Sequence, residues 1–366
     1  MSARLRFLLI VLLVGILGSA EASAGAVPPD RLHRPGLAVN RHTTVLPHDL
    51  HAASWIVVDA GSGAVLAAQD AHHKYLPAST QKVLTALTLL PKLPDRRRIV
   101  TAVQADANVD GTRVGLVDRG RYSVGFLFSC MLMMSGNDCA EALARAAGGV
   151  QPTLAAMNAK ARALGAHDTY AGTPSGLDAR GQSSSAFDLA VIMRAALKIP
   201  DFVRYNSQEN GVVPAQGKKY PAFAFANDNR LRAKGYAGLL AAKNGYTDAA
   251  RHTYVCAARR GGRTMIVALM HAERDVVDTD DQAAQLMNWG FAVDGTIRPV
   301  GTINVAPAPR PHHFATATPR PTATAQPKHD HAAAADSGGG SSTWLYVLIP
   351  IVVIVIGGGL VVARRR

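Results

Sequence analysis

Three short polar clusters carry side chains that could do chemistry together. The first is Pro77-Ala78-Ser79-Thr80-Gln81-Lys82, which runs directly into the apolar stretch Val83 to Leu90. A serine three residues before a lysine at the mouth of a helix sets hydroxyl and ammonium on one face, about 5 to 6 Å apart at the backbone. A serine hydroxyl is a weak nucleophile until a base lies within hydrogen-bond reach, and Lys82 becomes such a base if burial and a second cation favour its neutral form. The second cluster is Ser135-Gly136-Asn137 and the third Lys243-Asn244-Gly245. Ser135 can relay a proton to a departing amine, and the Asn137 amide can donate to and accept from a peptide backbone. Lys243 offers the second cation and a positive charge for a substrate carboxylate. Gly245 allows close backbone approach, so the N–H groups of Ser79 and Tyr246 can form an oxyanion hole.

Alone, the Ser-x-x-Lys spacing says little, because at ordinary residue frequencies a chain of this length contains roughly one or two such pairs by chance. Its weight depends on elements that bring all three clusters to one place. Trp55 to Asp59 reads as a strand, Gly61-Ser62-Gly63 as a hairpin turn and Ala64 to Ala67 as the partner strand. The Ser79 helix follows and is closed by Pro91 and Pro94. From about Ser123 to Leu197 the pattern is helical, interrupted at Ser135-Gly136-Asn137, with Asp138 as the expected cap of Cys139 to Ala147. Phe126, Leu127, Met131 and Met134 read as core, Thr153 to Leu164 and Ser185 to Leu197 as two further helices. Strand patterns return in Gly211 to Ala226, Leu239 to Lys243, Thr253 to Ala258 and Thr264 to Met270, and Asp280 to Phe291 closes as a helix. Gly261-Gly262 turns the last hairpin. Strands at both ends and helices between predict an α+β domain with an antiparallel sheet, and place Lys243 at the end of an edge strand where an extended peptide gains main-chain hydrogen bonds.

The ends of the 366-residue chain have a different character. Arg4 and Arg6, an apolar run from Phe7 to Leu17 and the small residues Ala22-Ser23-Ala24 give a secretory signal over 1–24. Residues 25–48 read as a disordered leader and 49–297 as the catalytic domain. From 298 to 342 the chain is rich in Pro, Ala, Thr and His and is expected to be a disordered stalk. Residues 343–363 are expected to be a transmembrane helix, because Trp344 to Ala363 is apolar or glycine without a charge and long enough for a bilayer of about 30 Å, and the basic tail Arg364 to Arg366 stays cytoplasmic by the positive-inside rule. The domain is therefore expected on the extracytoplasmic side of a membrane. His312-His313 and His329-Asp330-His331 could bind metal but lack a folded frame, so no metal or cofactor is called for.

The formal charge is +13. Setting aside Arg4, Arg6, the three terminal arginines and Glu21 leaves 34 bases and 25 acids, about +9 for the exported part. Such a balance suits an anionic wall surface, whereas no basic helix interleaved with aromatics points to nucleic acid. Cys130, Cys139 and Cys256 read as buried small hydrophobes. On one helix, Cys130 and Cys139 would be some 13 Å apart, too far to pair, and a bridge from Cys139 to Cys256 stays open. Glu141 and Glu209 read as solvated carboxylates.

The three clusters in this order resemble the motif set of penicillin-binding proteins and class A β-lactamases. Nothing here resembles the deacylation loop of a class A β-lactamase. Leu50 to Phe291 is similar to the D-alanyl-D-alanine carboxypeptidase family of low-molecular-mass penicillin-binding proteins. Tyr75 to Thr80, Ser135-Gly136-Asn137-Asp138, Met157-Asn158-Ala159-Lys160 to Gly165, Pro174 to Asp178, Ser185 to Ala190 and Asn288-Trp289-Gly290-Phe291 follow its order. The resemblance implies a five-stranded antiparallel sheet packed between helices with a helical subdomain. It also implies release of the terminal D-alanine from peptidoglycan stem pentapeptides through an acyl-enzyme on Ser79, with β-lactams as covalent inhibitors. Two positions depart from the pattern: Lys-Thr-Gly is Lys243-Asn244-Gly245, and the family's carboxylate-binding arginine is absent from Val276 to Thr279, leaving Arg274 as nearest candidate. These departures keep a second reading open, a turnover-impaired, membrane-anchored penicillin- or wall-binding protein.

Overall fold

The computed structural model describes residues 31–40, 45–293 and 297–304. The signal, most of the stalk, its histidine pairs and the C-terminal apolar segment lie outside the described residues. Among those described, no helix is long and apolar enough to cross a membrane.

In chain order the strands and helices are β1 (Leu37–Val39), β2 (Ala52–Asp59), β3 (Ala64–Gln69), α1 (Lys82–Leu89), β4 (Ile99–Thr101), α2 (Gln104–Ala107), β5 (Arg121–Ser123), α3 (Val124–Met133) and α4 (Asn137–Ala146). They continue with α5 (Val150–Ala163), α6 (Ala186–Ala196), α7 (Pro200–Asn206), β6 (Asn210–Val213), β7 (Phe223–Ala226), α8 (Arg230–Ala233), β8 (Leu239–Thr247), β9 (Arg251–Arg260), β10 (Arg263–Ala272), α9 (Thr279–Ala292) and β11 (Gly301–Thr302).

The main sheet is antiparallel with the order β1-β3-β2-β10-β9-β8, and β11 also pairs with β3. The five expected strands form its centre, but among the described residues the sheet has seven strands, not five. The two additions come from segments expected to be disordered. Leu37–Val39 of the leader pairs with Ala67–Gln69, and Gly301–Thr302 of the stalk pairs with Ala64–Val65. Leu32, Val300 and Ile303 are buried, so a few apolar side chains offset the ordering cost in stretches whose overall composition reads as loop. Gly211 to Ala226 departs the other way, because β6 and β7 form a separate two-stranded sheet.

Side-chain alternation divides the core into two layers. Ile56 and Val58 of β2 and Ile266, Ala268 and Met270 of β10 face one cluster, shared with α1, α3, α4 and α6. Trp55 and Val57, with Met265, Val267 and Leu269, face the other, closed by Leu286, Met287 and Trp289 of α9. A sheet covered on both faces needs apolar residues at both parities, which is why these strands read as continuous hydrophobic runs. Each fully buried Leu, Ile or Met contributes roughly 1.5–3 kcal/mol.

The helical layer corrects several details. α5 begins at Val150, earlier than expected, with Pro152 in its first turn, where a missing N–H costs nothing. Asp138 does not cap α4, whose N-cap is Gly136. Its carboxylate accepts from the Cys139 N–H in the first turn of α4 at 2.9 Å and also from the N–H groups of Val114, Gly115 and Leu116 at 2.9–3.1 Å, so it ties a neighbouring loop to the helix start. The three cysteines are buried and free, and no Cys139–Cys256 bridge forms. Cys130 and Cys139 lie on α3 and α4, not on one helix, and burial pushes the Cys139 thiol up.

Candidate active site

Ser79 lies in a 3-10 turn, Ala78–Gln81, that feeds directly into α1. In 3-10 geometry the side chains at i and i+3 eclipse, so Lys82 stands over Ser79. Lys82 Nζ is 2.8 Å from Ser79 Oγ. The turn is pinned from both sides: the Pro77 carbonyl accepts from Thr80 Oγ1 at 2.6 Å and from Thr253 Oγ1 of β9 at 2.8 Å. Ala78 is held at φ +46°, a left-handed conformation that a non-glycine residue adopts only when its surroundings enforce it. Gly176 supplies part of that enforcement, since a Cβ there would fall 2.0 Å from the Ala78 carbonyl oxygen.

Lys82 is fully buried and reaches two further acceptors, Asn137 Oδ1 at 2.7 Å and the Ser175 carbonyl at 2.6 Å. Burial, and after it the positive charge of Lys243, pushes its pKa well below the ordinary lysine range. The same geometry suits the neutral amine: two N–H groups stay on Asn137 and Ser175, and the lone pair is left for the Ser79 proton. Among the described residues no carboxylate forms an ion pair with Lys82. Glu141, expected to be solvated, is pushed up to about 7, chiefly by burial.

The break between α3 and α4 holds Ser135 at φ +60°. It opens into a cleft of about 280 Å³ with Ser79, Asn244 and Gly245. Asn137, at the first turn of α4, is fixed through its backbone N–H to the Thr112 carbonyl and through Nδ2 to the Asp110 carbonyl, at 2.8 and 2.7 Å. These two bonds leave Oδ1 to Lys82. Gly111 must be glycine for this packing: its φ is +77°, and a Cβ would sit 2.8 Å from Asn137 Nδ2.

The opposite wall is β8, a free edge of the main sheet among the described strands. β8 extends to Thr247, so Lys243 lies within the strand, not at its end as the sequence suggested; pairing with β9 continues to Thr247↔Arg251. Gly245 passes so near the nucleophile that a Cβ would be 2.7 Å from the Ser79 nitrogen and 3.0 Å from that of Thr80. That approach puts the Tyr246 peptide beside the turn, as an oxyanion hole requires. Lys243 is buried, with its pKa lowered by burial. Its Nζ donates to the Asn244 carbonyl and Oδ1 at 2.9 and 2.8 Å. Asn244 thus occupies part of the donor capacity of the lysine that precedes it.

Arg274 does reach the cleft. Its guanidinium is engaged by Asp278, with Nε to Oδ1 at 2.7 Å and a second bond from Nη2. Of the sequence-selected residues, Ser79, Ser135, Asn244, Gly245, Tyr246 and Arg274 line one cleft; Lys82 and Asn137 are buried behind Ser79 and hydrogen-bonded in series to it, and Lys243 is buried next to Asn244. Thr112, Asp228, Arg230 and Thr279 also line the cleft and were not anticipated. None belongs to a motif; each arrives through a loop or helix end whose path depends on tertiary packing. Ser175 lies in the Pro174 to Asp178 match, but the signal was in its carbonyl, which sequence does not distinguish.

A serine held against a buried, cation-depressed lysine, beside a free sheet edge and a Ser-x-Asn turn, defines the penicillin-binding class of serine acyl-transfer proteins. Comparison with known proteins agrees. The family described as D-alanyl-D-alanine carboxypeptidase matches residues 41–274, and the chain belongs to that family. It is 42% identical over 247 residues to the D-alanyl-D-alanine carboxypeptidase DacB2 of Mycobacterium tuberculosis, covering 66% of this chain and 83% of that one. Among solved structures, a D-alanyl-D-alanine carboxypeptidase from M. tuberculosis superposes with TM-score 0.68 at 40% identity, covering 72% of this chain and 99% of the other. A Streptomyces DD-transpeptidase gives 0.63 at 25% identity, covering 68% and 100%.

Proposed function

We propose that this protein is a serine-type D-alanyl-D-alanine carboxypeptidase that trims the terminal D-alanine from peptidoglycan stem pentapeptides and is acylated by β-lactams. The single observation that carries this reading is the Lys82 amine, its Nζ 2.8 Å from Ser79 Oγ and buried, with its pKa lowered by burial and by the charge of Lys243. Ser79 attacks the carbonyl between the two D-alanines while Lys82 takes its proton. The N–H groups of Ser79 and Tyr246 stabilise the tetrahedral oxyanion. Ser135 passes a proton to the leaving D-alanine nitrogen, which breaks the C–N bond and leaves the acyl group on Ser79 Oγ; water then releases the shortened peptide. Asn137 and the β8 edge hold the substrate backbone, Gly245 permits the approach, and Lys243, Asn244 and Arg274 receive its terminal carboxylate.

The reading extends to location. Residues 1–24 are an export signal, and 343–363 are a membrane anchor with Arg364 to Arg366 in the cytoplasm; the apolar lengths and the flanking arginines support this. The catalytic domain then faces the wall. The test is release of free D-alanine from a stem pentapeptide by the full chain in detergent. Release that depends on Ser79 is expected, and penicillin labelling without any release would support a sensor instead.

A further inference from the structure

The wall of the cleft that receives the substrate carboxylate already contains a carboxylate of its own. Asp278 precedes α9 and closes two guanidinium groups at once. Arg274 donates to Oδ1 through Nε and Nη2, and Arg230, from α8, donates to Oδ2 through Nη1. Both arginines line the cleft with Ser79, and so does Thr279, whose buried Oγ1 has no hydrogen-bond partner. Asp278 makes no side-chain cap bond to α9, so helix capping does not account for its carboxylate. Arg274 and Asp278 each keep about a third of their side-chain surface exposed. A pair open to water exchanges partners easily, because the net stabilisation of exposed ion pairs is small, about 0–1 kcal/mol.

We propose that Asp278 is a specificity-determining residue that competes with the substrate's terminal carboxylate for Arg274. A D-alanine carboxylate entering the cleft replaces one carboxylate on the Arg274 fork with another, and the Thr279 hydroxyl gains an acceptor. Asp278 stays on Arg230 throughout. A ligand without a negative charge at that end has nothing to exchange, so Asp278 filters for ligands whose carboxylate matches the bidentate fork. This inference rests on the proposed carboxypeptidase reading, and it assigns the weak end of substrate recognition to a built-in rival instead of a missing group.

The test uses the full chain in detergent with Asp278→Asn, compared on a pentapeptide ending in free D-alanine and on the same peptide ending in D-alaninamide. An asparagine keeps the shape and removes the charge. We expect KM for the free acid to fall about three- to tenfold with kcat within twofold, no change for the amide, and no gain for the free acid when Arg274→Gln is added. A matching rise is expected in the acylation rate of a penicillin, but not of its methyl ester. An unchanged or raised KM for the free acid, or equal shifts for acid and amide, would overturn the competition. Should the wild type neither release D-alanine nor take penicillin, the carboxypeptidase reading fails instead. The penicillin and its ester still decide the role of Asp278 if only peptide turnover is lacking.

Discussion

The two walls of the cleft are built on opposite terms. On the acylation side Lys82 is fully buried, each of its three contacts is 2.8 Å or shorter, and two of the three acceptors are themselves fixed by backbone bonds or packing. On the recognition side Arg230, Arg274 and Asp278 are partly exposed and bonded to one another. A buried polar group with a fixed set of partners is costly to disturb and holds geometry; exposed ion pairs are cheap to exchange. The difference teaches where each function resides: chemistry sits where water is excluded, selection where partners can be traded.

Breaking the acylation side should have the largest effect. Lys82→Ala removes the base and opens a cavity between Ser79, Asn137 and Ser175, and we expect penicillin acylation to slow by about a thousandfold or more. Stopped-flow quenching of tryptophan fluorescence would measure it, with circular dichroism confirming that the fold persists. Acylation within tenfold of wild type would remove Lys82 from the role of base.

Lys243→Ala tests the electrostatic link between the walls. Lys243 lowers the Lys82 pKa, so without it that pKa rises. The reactive neutral amine is the form present above the pKa, and the acid limb of the acylation rate against pH should therefore move to higher pH. A loss of rate of about ten- to a hundredfold from weaker carboxylate binding should accompany the shift. An acid limb that stays in place would separate the two lysines.

These expectations follow parts of the molecule that were unequally legible in the sequence. Ser79 and Lys82 were readable because their contact depends on local spacing, Ser135 and Asn137 because a glycine-bearing break between helices marks them, and Gly245 because it follows a lysine in a strand pattern. The central strands were readable from β-branched runs. β1 and β11 were not, because each has only two or three residues and is ordered by a strand far away in the chain. Asp138 was legible as an acceptor at the start of α4, where it takes the Cys139 N–H, but not as the anchor of Val114 to Leu116, a loop that carries no signal of its own. Cys130 and Cys139 fall on different helices because of a helix break, which their separation in the sequence does not show. Asp278 and Arg230 were invisible for a similar reason, since they meet only when α8 and α9 pack together.

The smallest effects should come from adjusting the recognition side. Asn244→Thr returns a short hydroxyl to the strand and frees a Lys243 N–H now spent on Asn244 Oδ1. We expect kcat/KM for D-alanine release to rise about two- to fivefold, the scale of one modest hydrogen bond. An unchanged kcat/KM would show that Asn244 does not limit binding.

Intact-mass spectrometry of the full chain after exposure to penicillin tests the central claim most directly, because it reads the Ser79–Lys82 corner without depending on the peptide. The expected result is a single covalent adduct that maps to the peptide containing Ser79 and is absent from Ser79→Ala. An adduct elsewhere, or none under conditions where the protein is folded, would contradict it.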